Sequence, residues 1–213
     1  MKIALIGATG FVGSKVLAEA LQRGHDVTAL VRSPARLAAQ PHLAIVAADA
    51  SDAAQVARTA AGHDALVSAY NGPRGSDDFR DRYLAGARAV LDGAKRANVR
   101  RLLWVGGAGS LFVAPGVQLV DTPQFPEAYR TEAKAAREAL NLFAEEAALD
   151  WTYVSPAPLL QPGPRTGQFR LGGDHVLMDG DQPGRISVDD LAVAIVDELE
   201  TPRHVRRRFT LAY

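Results

Sequence analysis

The chain of 213 residues has no cysteine. That absence excludes disulfides, thiolate nucleophiles and thiolate metal sites, and it suits a reducing compartment. Net charge is also missing, because 24 lysines and arginines balance 24 aspartates and glutamates. No net field therefore draws the chain to nucleic acid or to an anionic membrane, and neither is expected as a partner. No stretch approaches the roughly 20 apolar residues that span a bilayer. Lys2 before "IALIGATGFVG" resembles the start of a secretory leader, but glycines break the run and an amphipathic pattern follows in place of a cleavage site. The expectation is a soluble, cytoplasmic protein. None of the five histidines (His25, His42, His63, His175, His204) stands at metal-ligand spacing from another, so no metal is expected.

The remaining composition is that of an ordinary globular domain, and the length fits one domain over 1–213. Short apolar runs at 2–7, 26–31, 43–49, 65–70, 101–107 and 151–156 alternate with helical stretches at 11–23, 52–61, 78–97 and 127–148. Runs that are apolar throughout suit strands buried on both faces, so the alternation predicts an α/β fold, a doubly wound parallel sheet with helices on both sides. Gly24 in "QRGHD" is placed to end the first helix in the left-handed conformation. Ser187 and Asp190 are spaced as a capping box for a helix ending near Glu200, which makes Asp189 and Asp190 first-turn stabilisers. Two long segments break the rhythm, at 106–126 and at 155–185. The second carries four prolines by residue 164 and a hairpin expected around Gly172–Gly173. Both leave the carboxyl ends of strands, where open α/β sheets bind ligands, and they are expected to wall a pocket for a small-molecule acceptor.

"KIALIGATGFVGS" sets Gly7, Gly10 and Gly13 three residues apart between a strand and a helix. Gly7 permits the turn, Gly10 lets a pyrophosphate approach the backbone, and Gly13 lets the helix pack closely on the sheet. The N–H groups of Phe11 and Val12 at the helix start bind phosphate with help from the dipole, and Thr9 adds a hydroxyl. After the second run, "ALVRSPARL" offers Arg32, Ser33 and Arg36 where an NAD site has an acid. Guanidinium groups suit a 2′-phosphate, so NADP(H) is favoured over NAD(H); the alternative is that these arginines are merely solvated.

The "GATGFVGS" spacing resembles the glycine motif of extended and atypical short-chain dehydrogenase/reductases. In that family an aspartate after the third strand contacts adenine and the turn after the fourth lies along the cofactor. The resemblance assigns these places to Asp49 with Ala50, and to Ala69 with Tyr70 and Asn71. Asp49 could equally cap the following helix. The family's tyrosine and lysine stand four apart on one helix, whereas Tyr129 and Lys134 in "EAYRTEAKAARE" are five apart. Five residues turn a helix by about 500°, which leaves the two side chains about 140° apart. The dyad is broken unless Tyr129 precedes the helix proper. Lys134 still has the reach for the cofactor ribose or is a solvated helix residue, and Tyr129 reads better as a pocket-wall aromatic. Ser110 in "GGAGS" stands where such enzymes hold a substrate-polarising serine, and Gly106, Gly107 and Ala108 give a nicotinamide access to the backbone.

"VGGAGSLFVAPGVQLVDTPQFP", "LDWTYVSPAPLLQPGPRTGQFRLGGD" and "RISVDDLAVAIVDELE" resemble the NADH-flavin reductase branch of NmrA-like atypical short-chain dehydrogenases. The resemblance implies one Rossmann-type domain with a small carboxyl-terminal substrate region and Ser155 and Pro156 against the nicotinamide. Three functions are compatible. An NAD(P)H-dependent reductase would pass hydride to a flat acceptor, with FMN or FAD as substrate rather than prosthetic group. A non-catalytic NADP(H) sensor would use the same fold, and a sugar-nucleotide epimerase or dehydratase ranks third because it needs an intact dyad. The assembly is expected to be a monomer or homodimer.

Overall fold

The computed structural model describes residues 1–72 and 75–213. The apolar runs form β1 (Lys2–Ile6), β2 (Asp26–Val31), β3 (Leu43–Ala47), β4 (Ala65–Ser68) and β5 (Arg101–Val105). After a hairpin of β6 (Phe112–Ala114) and β7 (Val117–Gln118) come β8 (Asp150–Pro156), β9 (Leu159–Gln161) and β10 (Arg170–Gly172). The chain finishes with β11 (Met178–Asp179), β12 (Gln182–Pro183), β13 (Arg185–Ser187) and β14 (Arg207–Ala212). Among the described residues the main sheet has eight strands in the order β10-β14-β8-β5-β4-β1-β2-β3, and only β10 runs antiparallel. This is a Rossmann-like α/β fold. The strand order reverses beside β1, so the switch point falls between the ends of β1 and β4.

Alternate side chains of β1 explain why the runs are apolar throughout. Ile3 and Leu5 enter one core with α1 (Gly13–Gln22) and α5 (Val188–Glu200). Ala4 and Ile6 enter the other, with α2 (Ala53–Ala60), α3 (Phe79–Arg96) and α4 (Arg130–Ala144). Trp104 and Trp151 are core residues. Trp104 is fully buried against Tyr83 and Phe143, and burying a large apolar side chain of this kind contributes about 1.5–3 kcal/mol. Gly24 ends α1 at φ +78°, with His25 N–H donating to Ala20 O and Gly24 N–H to Leu21 O.

Several local expectations are corrected. There is no hairpin at Gly172–Gly173: β10 pairs with β14, far along the chain, and the hairpin of this region joins β11 to β12. Asp52, not Asp49, caps α2, accepting from the N–H groups of Ala54 and Gln55. Only half of the capping box forms at α5. Ser187 Oγ accepts from Asp190 N–H at 2.9 Å, but the Asp190 carboxylate turns away to other partners. The helix expected over 127–148 is a 3-10 turn, Glu127–Tyr129, followed by α4 from Arg130 to Ala144. β14 was not expected, since three arginines at 206–208 hide the start of its apolar pattern. Among the described residues no helix is long and apolar enough to cross a membrane.

Candidate nucleotide-binding site

The three glycines have three different packing reasons. Gly7 has φ +84°, and a Cβ there would lie 2.5 Å from Ala69 O, so the ends of β1 and β4 touch through bare backbone. A Cβ on Gly13 would fall 2.1 Å from Gly7 O, which explains how the first turn of α1 sits directly on the strand end. Gly10 is exposed, and a Cβ there would meet only Gly7 O, at 3.2 Å. Its other side is open space. Gly10 N–H is used in the turn to Gly7 O, and Ser14 N–H bonds Gly10 O. The N–H groups of Phe11, Val12 and Gly13 find no hydrogen-bond partner among the described residues. Three unpaired donors at the positive end of α1, beside the one glycine with space, fit a pyrophosphate.

The residues assigned to the adenosine half gather along the next strand ends. Arg32 and Arg36 are exposed after β2, and neither forms an ion pair among the described residues. Asp49 is exposed two residues beyond β3 and accepts from Ser51 N–H and Oγ at 2.9 and 2.8 Å. Ala50 is buried. Tyr70 is half-buried above Gly86, where no Cβ would fit under its ring, and its hydroxyl donates to Arg82 O at 3.3 Å. Burial pushes the Tyr70 phenol up, Asp49 adds to that push, and Arg32 and Arg82 oppose it. Tyr70, Asp49 and Arg32 thus share one electrostatic neighbourhood, although 21 and 38 residues separate Tyr70 from the other two.

Beyond the carboxyl end of β5, α4 lies against the segment that follows. A Cβ on Gly109 would be 2.7 Å from Ala133 Cβ, and one on Gly107 would be 3.7 Å from Ala136 Cβ. Gly106 has its own reason, because a Cβ there would enter the Tyr153 ring at 2.0 Å. Ala108 opens the 3-10 turn Ala108–Ser110. Tyr129 is 57% exposed and stands just before α4, so the condition under which the spacing to Lys134 is no longer helical is met. Lys134 is exposed in the second turn of α4 without an ion-pair partner among the described residues. Ser110 is 2% exposed, and its hydroxyl accepts from Arg208 Nη1 at 2.9 Å. Ser155 and Pro156 are buried at the end of β8, and Ser155 Oγ has no hydrogen-bond partner among the described residues.

The two long segments touch each other and together line one groove, with Phe112 and Gln118 from the first and Gly172, Gly173 and Asp174 from the second. Phe112 N–H donates to Asp174 O at 2.8 Å and Val176 N–H to Phe112 O at 2.9 Å, so the segments are bridged at that point. Two buried carboxylates, which the sequence reading missed as anchors, hold the stretch before it. Asp190, fully buried, accepts from Thr166 N–H, Thr166 Oγ, Gly167 N–H and Tyr213 Oη. Glu19 on α1 accepts from Arg165 at 2.7 and 2.8 Å. Arg165 holds the Glu19 carboxyl below the usual range, against burial and with help from Arg23. The groove that the two segments line, about 800 Å³, runs along β14 past Trp151 and Arg206 and does not include the glycine turn. Among the described residues no three His, Asp or Glu side chains converge to hold a metal ion.

Residues 7–202 match the NAD(P)H-binding family pattern. The chain belongs to this NAD(P)H-binding family. A "putative exported protein" from Burkholderia pseudomallei is 46% identical, with TM-score 0.90 over 100% of both chains. A "putative epimerase" from Bacteroides thetaiotaomicron is 44% identical at TM-score 0.93, covering 100% of this chain and 96% of that one. A "putative NADH-flavin reductase" from Streptococcus pneumoniae is 32% identical at TM-score 0.86, covering 100% and 99%. The matched region begins at Gly7, in the glycine turn.

Proposed function

We propose that this member of the NAD(P)H-binding family is a reductase that uses NADPH in preference to NADH and takes a flat acceptor of the flavin or quinone class. When bound, the dinucleotide supplies a hydride to the acceptor. The observation that carries the reading is the set of unpaired N–H groups at Phe11, Val12 and Gly13 beside the open face of Gly10. These groups hold the pyrophosphate, and Arg32 and Arg36 bind the 2′-phosphate, since no described carboxylate neutralises them. Asp49 and Tyr70 flank the adenosine, while Gly106, Gly107, Ala108 and Pro156 lie along the nicotinamide end. Lys134 donates to the nicotinamide ribose. A flavin takes its proton from solvent after hydride arrives, so stacking and proximity do most of the work and a dedicated acid is dispensable. That suits a chain whose Tyr129 stands outside the helix carrying Lys134 and whose Ser110 hydroxyl is turned under Arg208.

The same placement of Ser110 and Tyr129 supports the second reading, a non-catalytic NADP(H) sensor. One assay separates them: purified protein with NADPH and FMN or a quinone, followed at the absorbance of the reduced nicotinamide. Saturable loss of absorbance is the expected result. Tight NADPH binding with no turnover on any acceptor overturns the reductase and leaves the sensor. The reading places the protein in the cytoplasm, where NADPH is regenerated, and cell fractionation tests that against the exported name of the Burkholderia neighbour.

A further inference from the structure

We propose that Arg208 is a positioning residue that sets the wall beside the nicotinamide by holding Ser110 and Asp174 at once; this rests on the proposed function above. Arg208 lies near the start of β14, level with Tyr153 of β8, and its side chain is 4% exposed. A guanidinium has five N–H donors in a rigid plane, and here each finds an acceptor. Nη1 donates to Ser110 O and to Ser110 Oγ, both at 2.9 Å. Nε donates to Asp174 Oδ1 at 2.8 Å, and Nη2 donates to the same oxygen at 2.6 Å and to Asp174 O at 3.3 Å.

Both acceptors belong to the long segments, and both are ends of something. Ser110 closes the 3-10 turn that begins two residues after Gly106. With Gly107 and Gly109 pressed against Ala136 and Ala133 of α4, this anchor fixes the far end of the Gly106–Ser110 path. Asp174 O also accepts from Phe112 N–H, and Phe112 O accepts from Val176 N–H, so the guanidinium bolts down the point where the two segments are joined. A shift of the Ser110 anchor moves the backbone against which the nicotinamide rests, while the glycine turn and Arg32 lie on other strands. Lysine cannot replace it fully, because a single ammonium cannot reach both Ser110 and Asp174, which lie at different edges of the guanidinium plane.

The test compares the wild-type chain with Arg208→Lys, Arg208→Met and Asp174→Asn. Asp174→Asn guards against misfolding, since the Asp174 side chain is 63% exposed. Calorimetry measures NADPH and 2′-phospho-ADP-ribose, which lacks the nicotinamide; hydrogen exchange follows Phe112 and Val176 N–H. The expected result is a Kd for NADPH raised about tenfold in Arg208→Met, and less in Arg208→Lys, as expected for losing hydrogen bonds to a charged group. Affinity for the nicotinamide-free fragment stays within about twofold, and the two amides exchange about tenfold faster. Equal losses for both nucleotides, or unchanged NADPH affinity, overturn the inference. A wild-type chain that binds neither nucleotide instead overturns the functional reading on which it rests.

Discussion

Gly10→Ala and Gly13→Ala should separate ligand binding from folding. At Gly13 the added Cβ meets Gly7 O at 2.1 Å and Gly7 C at 2.6 Å, both backbone atoms of a turn that itself touches Ala69. Such overpacking costs about 1–3 kcal/mol, more than the roughly 1 kcal/mol that alanine gains over glycine inside a helix. For a domain of this size each kcal/mol moves Tm by about 2–4 °C, so Gly13→Ala should melt several degrees lower without any ligand. At Gly10 the new Cβ meets only Gly7 O, at 3.2 Å, and a few tenths of an ångström relieve it. The ligand-free Gly10→Ala protein should therefore melt within about 2 °C of wild type. Its methyl group enters the space given to the pyrophosphate, and the Kd for NADPH should rise at least about tenfold, or ~1.4 kcal/mol. Thermal melts with and without NADPH, together with calorimetric titration, measure both quantities. A Gly10→Ala protein that binds NADPH as tightly as wild type would refute the assignment of that open face to a phosphate.

Arg32→Ala should weaken NADPH by about tenfold and leave NADH unchanged, in line with a charge-assisted contact of about 1.5–3 kcal/mol; parallel titrations of the two cofactors check it, and an unchanged preference shows Arg32 to be a surface charge. Lys134→Met should lower NADPH affinity and turnover together, whereas survival of both marks a solvated lysine. Asp190→Asn concerns stability against pH. Burial pushes the Asp190 carboxyl up, but hydrogen bonds from Thr166, Gly167 and Tyr213 outweigh it and hold the group below its ordinary value of 3.8. A depressed native value means that this stabilisation is present above pH 3.8 and lost as pH falls through the native value. Urea unfolding at pH 7 should show Asp190→Asn weaker by about 1–3 kcal/mol, with the gap to wild type closing in acid; a gap independent of pH contradicts the assignment.

Features governed by neighbours in the chain were legible in the sequence. The glycine turn, the left-handed Gly24 and the cap at Ser187 need only local backbone geometry, and the apolar runs follow from burial on both faces of each strand. Features set by distant partners were not. "RRRFTLAY" opens on three arginines that mask its apolar pattern, yet it supplies the strand beside β8 and the guanidinium of Arg208, whose five donors are all engaged. Asp190 has the spacing of a first-turn helix acid, and nothing nearby reveals that Thr166, Gly167 and Tyr213 converge on it. The Gly172–Gly173 pair suggested a hairpin because glycines are common in turns, but the pairing partner of β10 lies in β14, beyond an entire helix. Gly106 has a packing reason that only the fold reveals, because a Cβ there would enter the Tyr153 ring.

Bound as proposed, a nicotinamide dinucleotide lies across the ends of β1, β2 and β4 towards the segment after β5. A crystal structure of the protein with NADP⁺ tests it most directly. The expected result is pyrophosphate oxygens on the N–H groups of Phe11 and Val12, the 2′-phosphate between Arg32 and Arg36, and the nicotinamide beside Gly106–Ala108. Nucleotide density in the groove along β14, with the glycine turn holding only water, would contradict it.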